Sequence, residues 1–413
     1  MCIYIHVIRI ISKDIRLSIL NNFVSVLCTT RFIAIMLQLS RCIVITFLLL
    51  ELIMDSNSEE VIIVTKWGSI NGRSIEKYTL KNKAGQEVDI ITYGATITSV
   101  RTPDKLGNIA DVVLGFDNVE DYASTMFRNP YFGATVGRVA NRIKNGEFIL
   151  NGNTYHLTKN LGQDSLHGGI NGWSWKIWNA AIQSNRLVLS LLSEDGDEGY
   201  PGDVVASVIF QLFDNGELRI KMKAFVTKAT PINLTNHSYF NLAGHNGNAS
   251  ELYKHQFTLN ADRWTATDAK NIPTGDILSV IDTAMDLRNI TVLGDVIDKI
   301  PGGGYDNNFC LIVNDTQNER NFVATAVHPT SGRYLEVFSN QPAVQFYTAN
   351  FLPEHDTAGI QGKNGSRYFK HAAFCLETQN YPDAVNHANF PNSIVEPGQI
   401  YRHIVIYKFG VIA

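Results

Sequence analysis

The sequence predicts an all-β protein: one large domain of antiparallel strands over roughly 62–413, most simply a two-sheet sandwich. Three observations carry that prediction. From about residue 60 onward apolar residues recur with a period of two rather than 3.6. Turn-forming pairs recur at short spacing, at Asn71-Gly72, Asn151-Gly152, Asn215-Gly216 and Ser331-Gly332. No βαβ alternation and no GxGxxG occurs, which excludes a dinucleotide-binding fold. So many strands must close into a barrel or pack as sheets to protect their edges, and no repeat marks a propeller. Periodicity alone leaves barrel and sandwich both open.

Taken in order, each element follows from its local pattern. A short helix is expected around 118–126. FILNGNTYHL (148–157) reads as two short strands about an Asn-Gly turn. LRIKMKAFV (218–226) alternates Leu218, Ile220 and Met222 with Arg219, Lys221 and Lys223, a strand with one buried and one wet face. FTLNADRW (257–264) is a further strand, and a second short helix is expected around 292–299. FVATAVH (322–328), YLEVFSN (334–340), AVQFYTAN (343–350) and IVIYKF (404–409) complete the set.

Composition narrows the function. The 413 residues carry a net charge of −4 with scattered Lys and Arg. No basic stripe, zinc-finger spacing or basic helix is present, so nucleic acid is not an expected partner. The five cysteines (Cys2, Cys28, Cys42, Cys310 and Cys375) form no CxxC pair. That is neither a disulfide framework nor a metal set, and a reducing compartment, the cytoplasm, is expected for the body.

Residues 1–53 differ from the rest. They hold Arg9, Lys13, Arg16, Arg31 and Arg41 against a single acid, Asp14, before Glu51. FIAIMLQLSRCIVITFLLL (32–50) nearly reaches the length of a bilayer span, yet Arg41 sits inside it. Three readings stand: a membrane anchor or uncleaved signal, a removed targeting segment, or a dispensable stretch upstream of a start at Met54. Membrane contact is expected only through 32–50, and the body is assigned to 54–413.

Five segments are unusually polar and aromatic: GRVANRI (137–143), DSLHGG (164–169), NHSYFNL (236–242), GGGYDNNF (302–309) and FCLETQNYPDA (374–384). His167 precedes two glycines, which admit a ligand close to the backbone, although a surface turn histidine reads the same way. His237 lies among Asn236, Ser238 and Tyr239, neighbours suited to a polar ligand, although a satisfied core histidine is the plainer alternative. Alternation places Phe374 and Leu376 on one face and Cys375 and Glu377 on the other. Partial burial there raises a carboxylate's pKa toward that of a useful base, whereas a solvent-facing Glu377 would do nothing.

Two histidines and two carboxylates suffice for a metal, but no HxH or HExxH spacing occurs, so proton transfer suits them better and no metal or cofactor is expected. No GxSxG elbow marks a nucleophile. A neutral, hydroxyl-bearing ligand remains. Amides and carboxylates read hydroxyls, Arg142 donates two hydrogen bonds, and Trp173, Tyr239 and Tyr381 offer flat apolar faces. Binding and turnover are not separated at this level.

Together, YGATITSV, DVVLGFD, PYFGATVGRVANRI, SLHGG, DGDEGYPGD, TPINLTNHSYFNLAG, YDNNF and FCLETQNYPDAVN resemble the aldose 1-epimerase (galactose mutarotase) family over about 65–413. The resemblance implies a large antiparallel β-supersandwich. It also implies interconversion of the α and β anomers of free hexoses such as D-galactose and D-glucose, by ring opening and closure. It implies Glu377 as general base at the anomeric hydroxyl, His237 as general acid at the ring oxygen, and His167 as the second, supporting histidine. Asp306, Asn141, Arg142 and Gln345 are implied as sugar contacts. A silent sugar-binding module and an epimerase for hexose 6-phosphates stand as alternatives. No Lys or Arg lies between Asn160 and Gly172, which favours free sugars. Neither the preferred hexose nor an oligomeric state is read from the sequence.

Overall fold

Alternation sorts the strands into two packed sheets. Along Glu217–Val226, Leu218, Ile220 and Met222 are fully buried while Arg219, Lys221 and Lys223 are half-buried on the other face. The computed structural model describes residues 62–124, 129–313 and 319–412. The apolar stretch 32–50 lies outside them, and among the described residues no helix is long and apolar enough to cross a membrane.

Nine strands form the larger sheet, in spatial order Asn179–Gln183, Arg186–Ser193, Val204–Leu212, Glu217–Val226, Ile400–Val411, Arg333–Ser339, Asn321–Val327, Gln256–Leu259 and Thr291–Val292. Five strands form the sheet that matters for the site: Pro273–Ser279, Ala261–Thr267, Asp306–Leu311, Ala343–Tyr347 and Cys375–Gln379. Their ladders are antiparallel throughout. A third, N-terminal sheet of five strands runs from Ile62–Ile70 to Ile109–Asp111.

The two large sheets close on one hydrophobic core. Phe309, Val344, Phe346 and Leu376 from the five-stranded sheet belong to the same buried cluster as Ile220, Met222, Val405 and Tyr407 from the nine-stranded one. This is the sandwich, not the barrel: two separate sheets, each with free ends, share that core.

All four turn pairs fall between paired strands. Asn71 and Gly72 have φ of 49° and 76°, and Asn151 and Gly152 of 51° and 76°, the double left-handed geometry of a two-residue hairpin. The helices are as short as expected: Val119–Ala123, capped by the Asn118 side chain, and 3₁₀ turns at Leu293–Asp295 and Ile297–Lys299. A further helical turn, Ala249–Leu252, was not read from the sequence.

One expectation needs correction. FTLNADRW is not a single strand, because the chain changes sheet at Asn260, between Gln256–Leu259 and Ala261–Thr267. The Asn260 amide donates to the carbonyls of Ile312 and Phe322, both at 3.0 Å, and satisfies backbone that the crossing would otherwise strand.

Candidate active site

The face of the five-stranded sheet turned away from the core carries polar residues in rows. Asn308 lies opposite Gln345, and Gln345 opposite Glu377. One step along, Asp306 lies opposite Tyr347, and Tyr347 opposite Cys375. Period two makes this automatic: Phe309, Phe346 and Leu376 point into the sandwich, so their neighbours point the other way.

The NHSYFNL segment is pinned alongside Cys375–Gln379. Phe240 and Phe374 exchange two backbone hydrogen bonds, of 2.7 and 2.9 Å, and the Thr235 hydroxyl donates to the Thr378 carbonyl at 2.9 Å. His237 thereby meets Glu377, its Nε2 standing 3.5 Å from Oε1. Glu377 is 2% exposed and His237 4%, so neither solvates its charge in bulk water. The other oxygen of Glu377, Oε2, has no hydrogen-bond partner among the described residues.

That burial sets the electrostatics. Desolvation, helped by the nearby negative charge of Asp306, pushes Glu377 well above its ordinary 4.5, and Arg142 pulls it partly back. Desolvation lowers His237 to about 3, its own backbone carbonyl acting weakly the other way. The short contact itself would favour an ion pair. Burial dominates, because withdrawing both charges from water costs more than their mutual attraction returns. Burial thus biases the pair toward a protonated carboxyl beside a neutral imidazole.

His167 comes from the opposite wall. Arg142–Ile143 pairs with Ser165–Leu166, and next to that pairing His167 N–H donates to the Asn141 carbonyl at 2.9 Å. In return the Asn141 N–H donates to His167 Nδ1 at 3.1 Å, which leaves the proton of a neutral ring on Nε2. The ring lies 5.2 Å from that of His237, centroid to centroid, and is 7% exposed, so it is not the surface turn residue that the sequence also allowed.

The remaining sequence candidates gather around Asp306. Gln345 Nε2 donates to its Oδ1 at 2.7 Å. Arg142 Nη2 and Asn271 Nδ2 donate to its Oδ2 at 3.4 and 3.2 Å. Asn141 Oδ1 accepts from Arg142 N and Nη1 at 2.9 and 3.3 Å and steadies the guanidinium. Asn141, Arg142, Asp306 and Gln345 line one narrow cleft, and Arg142 Nε and Gln345 Oε1 keep unused hydrogen-bonding capacity there. All seven candidates, Glu377, His237, His167, Asn141, Arg142, Asp306 and Gln345, are thus brought into one neighbourhood.

Several readings of individual residues change. The amides and hydroxyl around His237 fasten backbone or one another and do not face a ligand. Asn233 bonds both the N–H and the carbonyl of Asn380, Asn236 donates to the Gly133 carbonyl, and Ser238 donates to Asn236. Trp173 is a core residue packed against Trp178, Tyr381 packs on Phe390, and Tyr239 stacks on the His237 ring at 5.0 Å. None of the three presents a free flat face.

Gly168 and Gly169 do not serve ligand approach either. A Cβ on Gly168 would overlap the Gly137 carbonyl, and one on Gly169 would overlap the Glu198 carboxylate, which accepts from the N–H groups of Ile170 and Asn171. Asn308 went unread in the sequence. It lines the cleft, is buried, and has both amide atoms without a partner among the described residues. Only its register opposite Gln345 reveals it.

His237, Cys375 and Glu377 are also the one metal-capable trio among the described residues. Their geometry suits an ion poorly. Cys375 Sγ stands 3.7 Å from His237 Nδ1 while Glu377 approaches Nε2, so sulfur and carboxylate address different ring nitrogens, and one ion takes one nitrogen. Burial also pushes the thiol well above its ordinary range, which keeps it protonated.

Comparison with known proteins agrees with this architecture. The aldose 1-epimerase family profile matches residues 76–408. The chain is 46% identical over 338 residues to galactose mutarotase of Bos taurus, covering 82% of this chain and 95% of that one. It is 32% identical over 347 residues to aldose 1-epimerase of Escherichia coli K12, covering 82% and 96%. The crystal structure of an aldose epimerase homologue from C. elegans superposes with a TM-score of 0.74 at 29% identity, covering 86% of this chain and all of that one. With its antiparallel sandwich and a family match spanning nearly the whole of it, the chain belongs to the aldose 1-epimerase family.

Proposed function

We propose that the protein interconverts the α and β anomers of free hexoses such as D-galactose and D-glucose, with Glu377 and His237 as the proton-transfer pair. One observation carries the reading: a carboxyl and an imidazole, 3.5 Å apart and both buried, with burial driving each toward its neutral form.

Moving one proton across that contact turns the resting pair into carboxylate and imidazolium without changing the net charge of the site. In that state both groups are strained in the useful direction. The carboxylate is an unusually strong base and the imidazolium an unusually strong acid. Glu377 takes the proton of the anomeric hydroxyl as C1=O forms. The C1–O5 bond breaks with its electron pair going to O5, which takes the proton from His237 Nε2. Ring opening thus returns the pair to the neutral form that burial favours. The C1–C2 bond then rotates, and the reverse proton movements close the ring on the other face of the aldehyde.

His167 supports the charge and orients the ring oxygen, through the Nε2–H that its bond to Asn141 implies. Asp306, Arg142, Asn141 and Gln345 hold sugar hydroxyls, and their mutual hydrogen bonds fix them before substrate arrives. Arg142, the one basic residue of the cleft, is already paired with Asp306, which suits a neutral sugar better than a phosphorylated one. The chemistry is assigned to residues 54–413. Cys310 and Cys375 are both free and buried, which supports a reducing compartment, the cytoplasm, for this body.

Polarimetry of freshly dissolved α-D-galactose and α-D-glucose with the full chain tests the reading. Accelerated decay to the equilibrium rotation is expected with each. A folded protein that accelerates neither, yet binds them, would instead be a sugar-binding module.

A further inference from the structure

The proposed cycle makes a demand on His237 that its acid role alone does not meet. Only Nε2 should exchange a proton with substrate, so in the neutral ring the remaining proton must sit on Nδ1. If it sat on Nε2, the ring could not take the proton back when the sugar closes. Something must therefore accept from Nδ1.

The groups around the ring are largely committed elsewhere. Tyr239 donates its hydroxyl to the Pro130 carbonyl at 2.9 Å. Tyr347 accepts from Phe351 N–H at 2.9 Å. His167 Nδ1 accepts from Asn141, Glu377 faces Nε2, and Tyr131 contributes a near-parallel ring at 6.0 Å. The His237 carbonyl accepts from Gly133 N–H at 2.9 Å and has a second lone pair that bears only weakly on its own ring. Against Nδ1, at 3.7 Å, stands Cys375 Sγ. Cys375 is fully buried and its backbone is locked opposite Tyr347. It lies two residues before Glu377, so one strand face presents the sulfur to one ring nitrogen and the carboxylate to the other.

We propose that Cys375 is a positioning residue for anomer interconversion: its sulfur accepts a hydrogen bond from His237 Nδ1–H and so reserves Nε2 for the proton exchanged with the sugar. The inference rests on His237 being the acid. Sulfur suits the task because it accepts weakly. A carboxylate at this place would hold the same tautomer but stabilise the imidazolium, and so weaken the acid that must protonate a sugar ring oxygen. A thiol holds the proton in place and leaves the acid strong.

The test combines ¹⁵N NMR of histidine-labelled full-length protein with kinetics of Cys375→Ala and Cys375→Ser. The His237 signals are assigned by their loss in His237→Asn. In wild type, the protonated nitrogen of the neutral ring is expected to be Nδ1. Cys375→Ala should lower kcat roughly tenfold, the worth of one hydrogen bond, with KM within about twofold. Cys375→Ser, which retains an acceptor, should recover most of the loss. A wild-type ring protonated on Nε2 overturns the proposal without any variant having to fold. So does a Cys375→Ala enzyme with unchanged kcat. If wild type is active and His237→Asn is not, the acid assignment stands in either case, and only the role of the thiol has failed.

Discussion

His237 Nε2 lies 3.5 Å from Glu377 Oε1, and both residues are almost entirely withdrawn from solvent. Neither group gains from being charged there, which fits them to the proton transfer proposed for the pair. In the proposed cycle the charged form of the pair is relieved when a proton leaves the imidazolium and another reaches the carboxylate, and ring opening of a sugar does both.

Replacing either member should therefore remove most of the rate. Glu377→Gln and His237→Asn are each expected to lower kcat by about 10²–10⁴, the usual worth of a positioned proton-transfer group, with smaller changes in KM. Polarimetric progress curves on D-galactose measure both. Wild-type kcat in either variant would remove that residue from the mechanism.

The alkaline limb of activity should follow the carboxyl's surroundings. The pair must keep its one proton, so kcat/KM falls as pH rises through a Glu377 pKa held above 4.5 by desolvation first and Asp306 second. Asp306→Asn should move that limb to lower pH. Arg142→Met, which removes the one charge lowering the pKa, should move it higher. Identical limbs in all three proteins would show that another group titrates there.

Acid should unfold the protein through its buried histidines. His237, His255 and His403 are held near pKa 3 by desolvation, and His371 near 4. Each is neutral when folded but binds a proton near 6.5 when unfolded. Their contribution is present above about 6.5 and is lost as pH falls toward 3. Urea midpoints between pH 7 and pH 4 should decline, and His255→Gln should make the decline shallower. A flat profile would place these rings in contact with solvent.

Gly168 should tolerate no side chain. Its φ is 83°, and a Cβ would overlap the Gly137 carbonyl. Gly168→Ala is expected to cost at least about 2 kcal/mol in urea unfolding and to raise KM, because the loop carrying His167 must shift. An unchanged denaturation midpoint would mean that the loop relaxes freely.

Much of this protein is determined by local sequence. Period-two alternation and paired turn residues act over a few neighbours, so the strands, the hairpin turns at Asn71-Gly72 and Asn151-Gly152, and the outward face of Cys375 and Glu377 are legible from the chain alone. Of the seven site candidates, His167, His237, Glu377 and Arg142 were legible from residue type and setting, whereas their roles and the other three came through resemblance to a family. By residue type alone, Arg138 and Arg142 in one motif look alike. Arg138 is in fact buried in hydrogen bonds to Ser193, Glu194 and Pro201, while Arg142 reaches Asp306. Tertiary structure alone decided such matters: that Asn260 switches sheets, that Asn308 stands in the row of Gln345 and Glu377, and that Cys375 meets His237. Those relationships join segments far apart in the chain, and register between strands depends on packing of the whole sandwich, which no short stretch encodes.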